Sequence, residues 1–400
     1  MDGHDRAAPL SGVRVLDVSN LWAGPMVGMF LADFGADVVK VEHPDNGDEL
    51  RRWGHSKNGV GLFYKVVNRN KRAITLHLRD PEGQRLLRRL VAGFDVVVEN
   101  FRPGTMERWG LGYDDLVEVR EDLIMVRISG FGQYGPNSWR RGFGSLSNAF
   151  SGQAYAAGAA QGRPHTPGFG AADAQTGLAG AFATVVALRE RDRSGLGQVI
   201  DLGIYETPFT LLGPHAIDYD QLGIVAGAPE TTPQVAPTGT YGTKDDRLVF
   251  LSGSTQRTFT AVCRAIGRPD LVEDPRFATN SARAAHAAEL DHELTATIGT
   301  IGCDQLCADA TEGNAPIVEV LSIADIFADP HYRERENIAQ LDDPELGSVR
   351  MQNVVPRLSR TPGAVRFAAR AKAADNEAFY AEELGLSADE LRELSQDGVI

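Results

Sequence analysis

The stretch Val13-Arg14-Val15-Leu16-Asp17, then Asn20-Leu21-Trp22-Ala23-Gly24-Pro25 and an amphipathic run to Phe34, decides the fold. The first five residues form an apolar, β-branched run of the kind that makes a buried strand. Pro25 suits the first turn of a helix, and Gly35 stops the helix that follows. Asp37-Val38-Val39-Lys40-Val41-Glu42 then reads as a second strand. The pattern continues with a strand over Ala73 to Leu78 and Asp80-Pro81-Glu82 as cap and first turn of a helix to Val91. Asp95 to Glu99 and Leu123 to Ser129 read as further strands. Strands alternating with helices of this length predict an α/β protein, a Rossmann-like domain with a parallel sheet covered on both faces.

Further along, a long helix is expected from Asp173 to about Arg193, broken by Gly195 and Gly197, with Gln198 to Leu202 as a strand and a single helix over Tyr205 to about Leu222. Ala226 to Pro237 has the composition of a linker. Hairpin-like Thr238 to Leu251 and helical segments through Gly313 predict a smaller α+β domain. Two acidic helices, Asn376 to Glu383 and Ser387 to Leu394, end the chain. The expected layout is residues 1–225 as the large domain, 226–325 as the small one, and 326–400 returning to the large one.

The chain has 400 residues, 42% of them apolar, enough for a sizeable core. Its 40 Lys and Arg against 54 Asp and Glu give a net charge of −14, which argues against nucleic acid as a partner. Phosphate recognition would require cations gathered locally. The opening MDGHDRAAPLSG lacks the apolar core of a signal peptide, and the best apolar run, Gly177 to Leu188, falls short of the ~20 residues of a membrane span, so a cytoplasmic protein without a membrane partner is expected. Cys263, Cys303 and Cys307 make no disulfide framework. Cys303 and Cys307 could share a helix face but have no His-rich partner, so no metal site is expected.

Gly130-Phe131-Gly132-Gln133-Tyr134-Gly135 matches G-x-G-x-x-G after a strand, but Pro136-Asn137-Ser138-Trp139 follows where the dinucleotide fingerprint needs a helix, so a turn is expected. No P-loop and no G-x-S-x-G elbow occur. Asp173, in Gly168-Phe169-Gly170-Ala171-Ala172-Asp173-Ala174-Gln175-Thr176-Gly177, has two readings. It is either a helix N-cap or a carboxylate nucleophile among small residues that let a thioester approach.

Pro9 to Asp17, Ala23-Gly24-Pro25, Gly35 to Glu42, Asn70-Lys71-Arg72, Val98-Glu99-Asn100-Phe101-Arg102-Pro103-Gly104 and Ala172-Asp173, in this order, resemble the family III CoA-transferases, relatives of the α-methylacyl-CoA racemases. Ala315-Pro316-Ile317-Val318 and Asp329-Pro330-His331 extend the resemblance. It implies transfer of CoA from an acyl-CoA to a carboxylic acid through an aspartyl anhydride and an aspartyl-CoA thioester on Asp173. Coenzyme A and its thioesters would be substrates, with no permanently bound cofactor, and two chains would interlock as a homodimer. The implied CoA path crosses Asn20, Leu21, Trp22 and Ala23, with Leu76, Asn100 and Phe101 along it and Arg79, Arg108 and His43 as cationic contacts. Arg72, Arg140 and Arg141 are further cations without a matched role, and Gly24, Gly104, Gly168, Gly170 and Gly177 are expected to give clearance to thioester and carrier. Phe143-Gly144 stands where the racemases carry a catalytic histidine, which counts against racemisation. Ser252-Gly253-Ser254-Thr255 is shorter than the glycine flap of the oxalate-type enzymes. The rival readings are a 2-methylacyl-CoA racemase and a non-catalytic acyl-CoA binding protein.

Overall fold

The computed structural model describes residues 8–158, 170–227 and 235–400. The chain divides into two compact units, Met1–Gly227 with Arg335–Ile400, and Ala228–Glu334. The second stretch of the larger unit thus begins at Arg335 rather than at residue 326.

In the larger unit the strands are β1 (Arg14–Asp17), β2 (Asp37–Glu42), the short hairpin β3 (Ser56–Lys57) and β4 (Val60–Gly61), β5 (Lys71–Thr75), β6 (Val96–Glu99), β7 (Ile124–Ser129) and β8 (Gln198–Gly203). Six of them form one parallel sheet in the order β5-β2-β1-β6-β7-β8. This is the doubly wound order, with its reversal between β1 and β6, and such sheets bind ligands outside the carboxyl ends of the strands at that point. Period-two alternation explains the two covered faces. Leu16, Val39 and Val97 pack into one core with Leu86, Leu87 and Phe379. Val15, Val38 and Val96 pack into the other with Val27, Leu31 and Ala181.

The helices of this stretch are α1 (Ala23–Asp33), α2 (Leu62–Val67), α3 (Pro81–Val91), α4 (Thr105–Arg108), α5 (Tyr113–Val117), α6 (Gly144–Phe150), α7 (Gln153–Gly158), α8 (Ala171–Ser194), α9 (Glu206–Thr210) and α10 (His215–Leu222). Asp80 caps α3 by accepting from the Glu82 N–H at 2.8 Å. α8 packs along α1 at close range: a Cβ on Gly177 would lie 2.5 Å from Met26 Cβ, and one on Gly180 2.7 Å from Val27 Cγ2. α8 runs well beyond the expected apolar stretch. Its 24 residues, with a mean hydropathy of 1.2 over the most apolar part, could span a membrane by length and composition alone. Its Ala172, Thr176, Gly177, Gly180, Ala181 and Thr184 are buried within the unit, as in a core helix.

Three local expectations are corrected. β5 starts at Lys71 and ends at Thr75, because Lys71 is a buried strand residue whose Nζ donates to Asp17 Oδ2 at 2.8 Å. The helix expected over Tyr205 to Leu222 is two, broken at Gly213-Pro214, where Gly213 takes φ +65° and proline cannot continue the ladder. Asp173 is not the N-cap of α8; Gly170 is, in the left-handed conformation.

The smaller unit has an antiparallel sheet, β9 (Thr238–Gly242), β10 (Leu248–Ser252) and β11 (Ile317–Glu319), in the order β11-β10-β9. With it go α11 (Gln256–Ala265), α12 (Asp270–Glu273), α13 (Asn280–Ala285), α14 (Ala287–Ile298), α15 (Cys303–Glu312), α16 (Ile323–Ala328) and α17 (Pro330–Glu334). Phe259, Val262, Leu290, Leu294 and Leu306 form its core. Cys303 and Cys307 do share α15; among the described residues no group of ligands could hold a metal ion. Residues 228–234 of the expected linker lie outside the described residues.

The chain then forms the hairpin β12 (Ile338–Asp343) and β13 (Gly347–Gln352), followed by α18 (Asn376–Leu384) and α19 (Ala388–Gln396). Asp375 and Asn376 accept from the Ala73 and Thr75 N–H groups at 2.7 and 2.9 Å, covering the open edge of β5. The alanine-rich run before them packs inward: Ala368 and Ala369 are buried, and the Ala369 carbonyl accepts from Lys65 Nζ at 2.7 Å.

Candidate active site

The loop between β1 and α1 sits at the reversal point and is held from both sides. Asn100, just past β6, accepts from the Asn20 N–H at 2.8 Å and donates from Nδ2 to the Asn20 carbonyl at 2.6 Å. This reciprocal pair ties the two strand ends together. Beneath it, Asp48 Oδ1 accepts from the Leu21 N–H at 3.0 Å, Asp48 pairs with Lys40 at 3.0 Å, and Lys40 Nζ donates to the Ser19 carbonyl. Lys71 braces the start of α1 by donating to the Pro25 carbonyl at 2.6 Å. Burial pulls the Lys71 ammonium down to about 8, against the opposing pull of Asp17. Leu21 is held at φ +65°, a conformation that costs a leucine energy and persists where surrounding bonds over-determine it.

Two adjoining cavities open on this loop. The larger, about 650 Å³, is lined by Asn20, Leu21, His43, Leu76, Arg79 and Phe101 from the expected set. His77, Arg52, Arg102 and Trp109 also line it and were not anticipated. His43 and His77 stack edge to face with centroids 4.6 Å apart. Burial and the neighbouring His77 lower the His43 pKa. Arg79 and Arg102 are exposed, and among the described residues neither has an ion-pair partner; with Arg52 they outnumber Glu49, the lining carboxylate that has no ion pair, Glu42 being paired with Arg51.

The smaller cavity, about 120 Å³, is lined by Trp22, Ala23, Asn100 and Asp173, with Trp53, Ser129, Gly130, Gly142 and Gly144. Leu21 and Phe143 line both cavities and stand at their junction. Asp173 lies in the first turn of α8, half-buried, and among the described residues its carboxylate has no hydrogen-bond or ion-pair partner. Desolvation alone pushes its pKa up to about 6. At neutral pH the group is therefore largely ionised, desolvated and uncapped, as a nucleophile requires. A Cβ on Gly144 would come within 2.0 Å of Asp173 Oδ2, so only glycine leaves the carboxylate this position.

Other residues of the expected set lie outside the lining of the two cavities. Arg108 is not among the lining residues of either cavity, but its guanidinium donates to Thr105 Oγ1 at 2.9 Å, and Thr105 lines the larger one. Arg72 lies at the amino end of the sheet and donates from Nε to Asp37 at 3.1 Å. Arg140 stacks on Phe131 with 5.2 Å to the ring centroid, and Arg141 is exposed. The glycines clear space for the chain itself: Gly24 for Ser19 at 2.4 Å, Gly170 for Trp22 at 1.5 Å, Gly177 for Met26. Gly104 takes φ +78° to open α4, and Gly168 lies outside the described residues. The G-x-G-x-x-G stretch opens no helix, yet it is more than a turn, since Gly130 and Gly142 meet with a would-be Cβ only 2.4 Å from the facing Cα. Their contact, between segments twelve residues apart, carries Gly130, Gly142 and Gly144 to the Asp173 cavity, and no local pattern signals it.

The fold and site thus define a doubly wound α/β protein with a cation-rimmed cleft leading to a carboxylate in a small cavity. The model of CoA-transferase family III matches residues 10–375. Succinyl-CoA–D-citramalate CoA-transferase of Chloroflexus aurantiacus is 42% identical over 394 residues, 98% of each chain. Succinyl-CoA:glutarate CoA-transferase of Mus musculus is 32% identical over 89% of this chain and 82% of its own. The crystal structure of a CAIB/BAIF family protein from Brucella suis superimposes with a TM-score of 0.84 at 32% identity, covering 94% of this chain and all of that one. The chain belongs to CoA-transferase family III.

Proposed function

We propose that this enzyme moves CoA from succinyl-CoA to a small dicarboxylic acid through covalent intermediates on Asp173. The observation that carries this reading is the unpaired, desolvated Asp173 carboxylate in a cavity that adjoins the cation-rimmed cleft. In this mechanism a carboxylate oxygen of Asp173 attacks the thioester carbonyl. The C–S bond breaks, and CoA leaves as thiolate, held by the larger cleft, leaving a mixed anhydride. The thiolate then attacks the aspartyl carbonyl and expels the donor's acid, so the aspartyl-CoA thioester keeps the energy of the original bond. The acceptor carboxylate runs the sequence in reverse. No base is needed in either half. That suits a cavity in which Asp173 is the only ionisable group among the described lining residues, whereas racemisation requires two bases.

The substrate class rests on the relatives, whose names pair succinyl-CoA with D-citramalate and with glutarate, both dicarboxylic acids. The cleft would take the carrier, with Arg79 and Arg102 meeting its phosphates and Phe101 and Leu76 its apolar length. A homodimer fits the outer surface of the larger unit. α8 exposes Leu178, Phe182, Val185 and Val186, Leu211 is 61% exposed, and α10 buries none of its residues. Apolar faces of this extent mark a partner surface, and a second copy is the partner the resemblance implies. Light scattering at micromolar concentration should give twice the chain mass of 43.2 kDa.

The deciding experiment is to incubate the protein with succinyl-CoA, trap with borohydride or hydroxylamine, and map the modified peptide by mass spectrometry. Modification at Asp173, absent in Asp173→Asn, is expected. An unmodified Asp173 during turnover would overturn the mechanism.

A further inference from the structure

Ser129 is the last residue of β7 and lines the same small cavity as Asp173. It is 8% exposed, and its Oγ is buried without a hydrogen-bond partner among the described residues. A buried hydroxyl is normally satisfied, and one left without a partner calls for an explanation. On the backbone, the Ser129 carbonyl already accepts from the Ile204 N–H at 2.9 Å and Ser129 stands in register with Gly203 of β8, while the ladder with β6 ends two residues earlier at Arg127. A serine hydroxyl turns by rotation about one bond, so the group can be presented to the cavity without moving the sheet.

We infer that Ser129 is a further catalytic residue, which donates its hydroxyl hydrogen bond to the acyl oxygen as negative charge develops on it. The inference rests on Asp173 being the nucleophile. When the Asp173 oxygen adds to the thioester carbonyl, the π electron pair moves to the carbonyl oxygen. Collapse returns that pair to carbon and expels the thiolate with the C–S electrons. Ser129 keeps its proton throughout and acts as a dipole. The Asp173 cavity contains no cation among the described residues, so a neutral donor on a rigid strand end is the kind of group available there to meet an oxyanion. The position suits the task, because a residue on a strand of the sheet is held more precisely than one on a loop.

The hydroxyl's lack of a structural partner separates this role from a structural one. Ser129→Ala should fold with a thermal midpoint equal to or above that of the wild type and bind CoA unchanged. Its rate of Asp173 modification by succinyl-CoA, measured in a single turnover with borohydride quench, should fall on the order of 10²-fold. Ser129→Thr, which keeps the O–H, should recover much of that rate. If Ser129→Ala modifies Asp173 at the wild-type rate, or if it melts early or loses CoA binding, the assignment is overturned while the Asp173 mechanism stands. If the wild type itself forms no Asp173 adduct, the mechanism fails first and the role of Ser129 fails with it.

Discussion

Replacing Asp173 by asparagine keeps the shape of the side chain and removes its charge, so it separates what the carboxylate does for catalysis from what it costs the fold. Its pKa stands near 6 in the folded protein against an ordinary 3.8, and the cause is desolvation without any compensating partner among the described residues. Between about pH 4 and pH 6 the folded state holds a proton that the unfolded state has released, so stability falls as pH rises through that window, and the whole penalty is present at neutral pH. The gap corresponds to ~3 kcal/mol at most, and residual solvent contact reduces it to ~1–2 kcal/mol. Asp173→Asn should therefore raise the melting temperature by about 1–3 °C at pH 7.5, with the difference from wild type vanishing towards pH 4. Turnover should fall on the order of 10³-fold or more. Differential scanning calorimetry across pH, with a CoA-transfer assay on the same samples, tests both halves. A variant no more stable than wild type at pH 7.5, or a difference that persists unchanged in acid, would refute the claim that an unpaired, desolvated carboxylate sits in this cavity.

Gly144→Ala should lower turnover by about 10²-fold while barely moving the melting temperature, because the Asp173 carboxylate must shift to clear a Cβ now 2.0 Å away; steady-state kinetics beside a thermal melt checks both. Asn100→Ala should cost about 1–3 kcal/mol in chemical denaturation and weaken CoA binding, since both backbone groups of Asn20 lose their partner. Arg79→Ala should raise the CoA Kd by about tenfold and flatten its salt dependence in calorimetric titrations at low and high salt. Loss of the Asp173 proton should also show in turnover, which is expected to rise with pH through about 6 as the carboxyl ionises.

The sheet was legible wherever the signal was local. β1, β2, β6 and β7 stand within a residue of their expected positions, because each is a short β-branched run bounded by turn residues. β5 was misplaced because a buried lysine begins it, and only the distant Asp17 explains why a charge can sit there. The break at Gly213-Pro214 had its signal in plain view, and helical periodicity on both sides obscured it. Much of the cleft followed from the resemblance to family members. His77 and Arg52 were invisible because neither belongs to a recognisable motif, and they reach the cleft through β5 and the turn after Asp48. Ser129, Gly130, Gly142 and Gly144 were missed for a related reason: their meaning lies in contacts across loops, and sequence spacing does not encode which loop meets which.

The close seating of α8 on α1 makes the nucleophile one end of a lever. Asp173 precedes Gly177 by about one helical turn, and Gly177 rests almost directly on Met26. A methyl group inserted at that contact would have to displace the 24-residue helix or the start of α1, and the carboxylate lies one turn from the point of displacement. Substitutions that never touch a substrate can in this way retune its reactivity. A search for loss-of-function or altered-specificity variants would do well to sample the Met26–Gly177 and Val27–Gly180 contacts alongside the cavity walls.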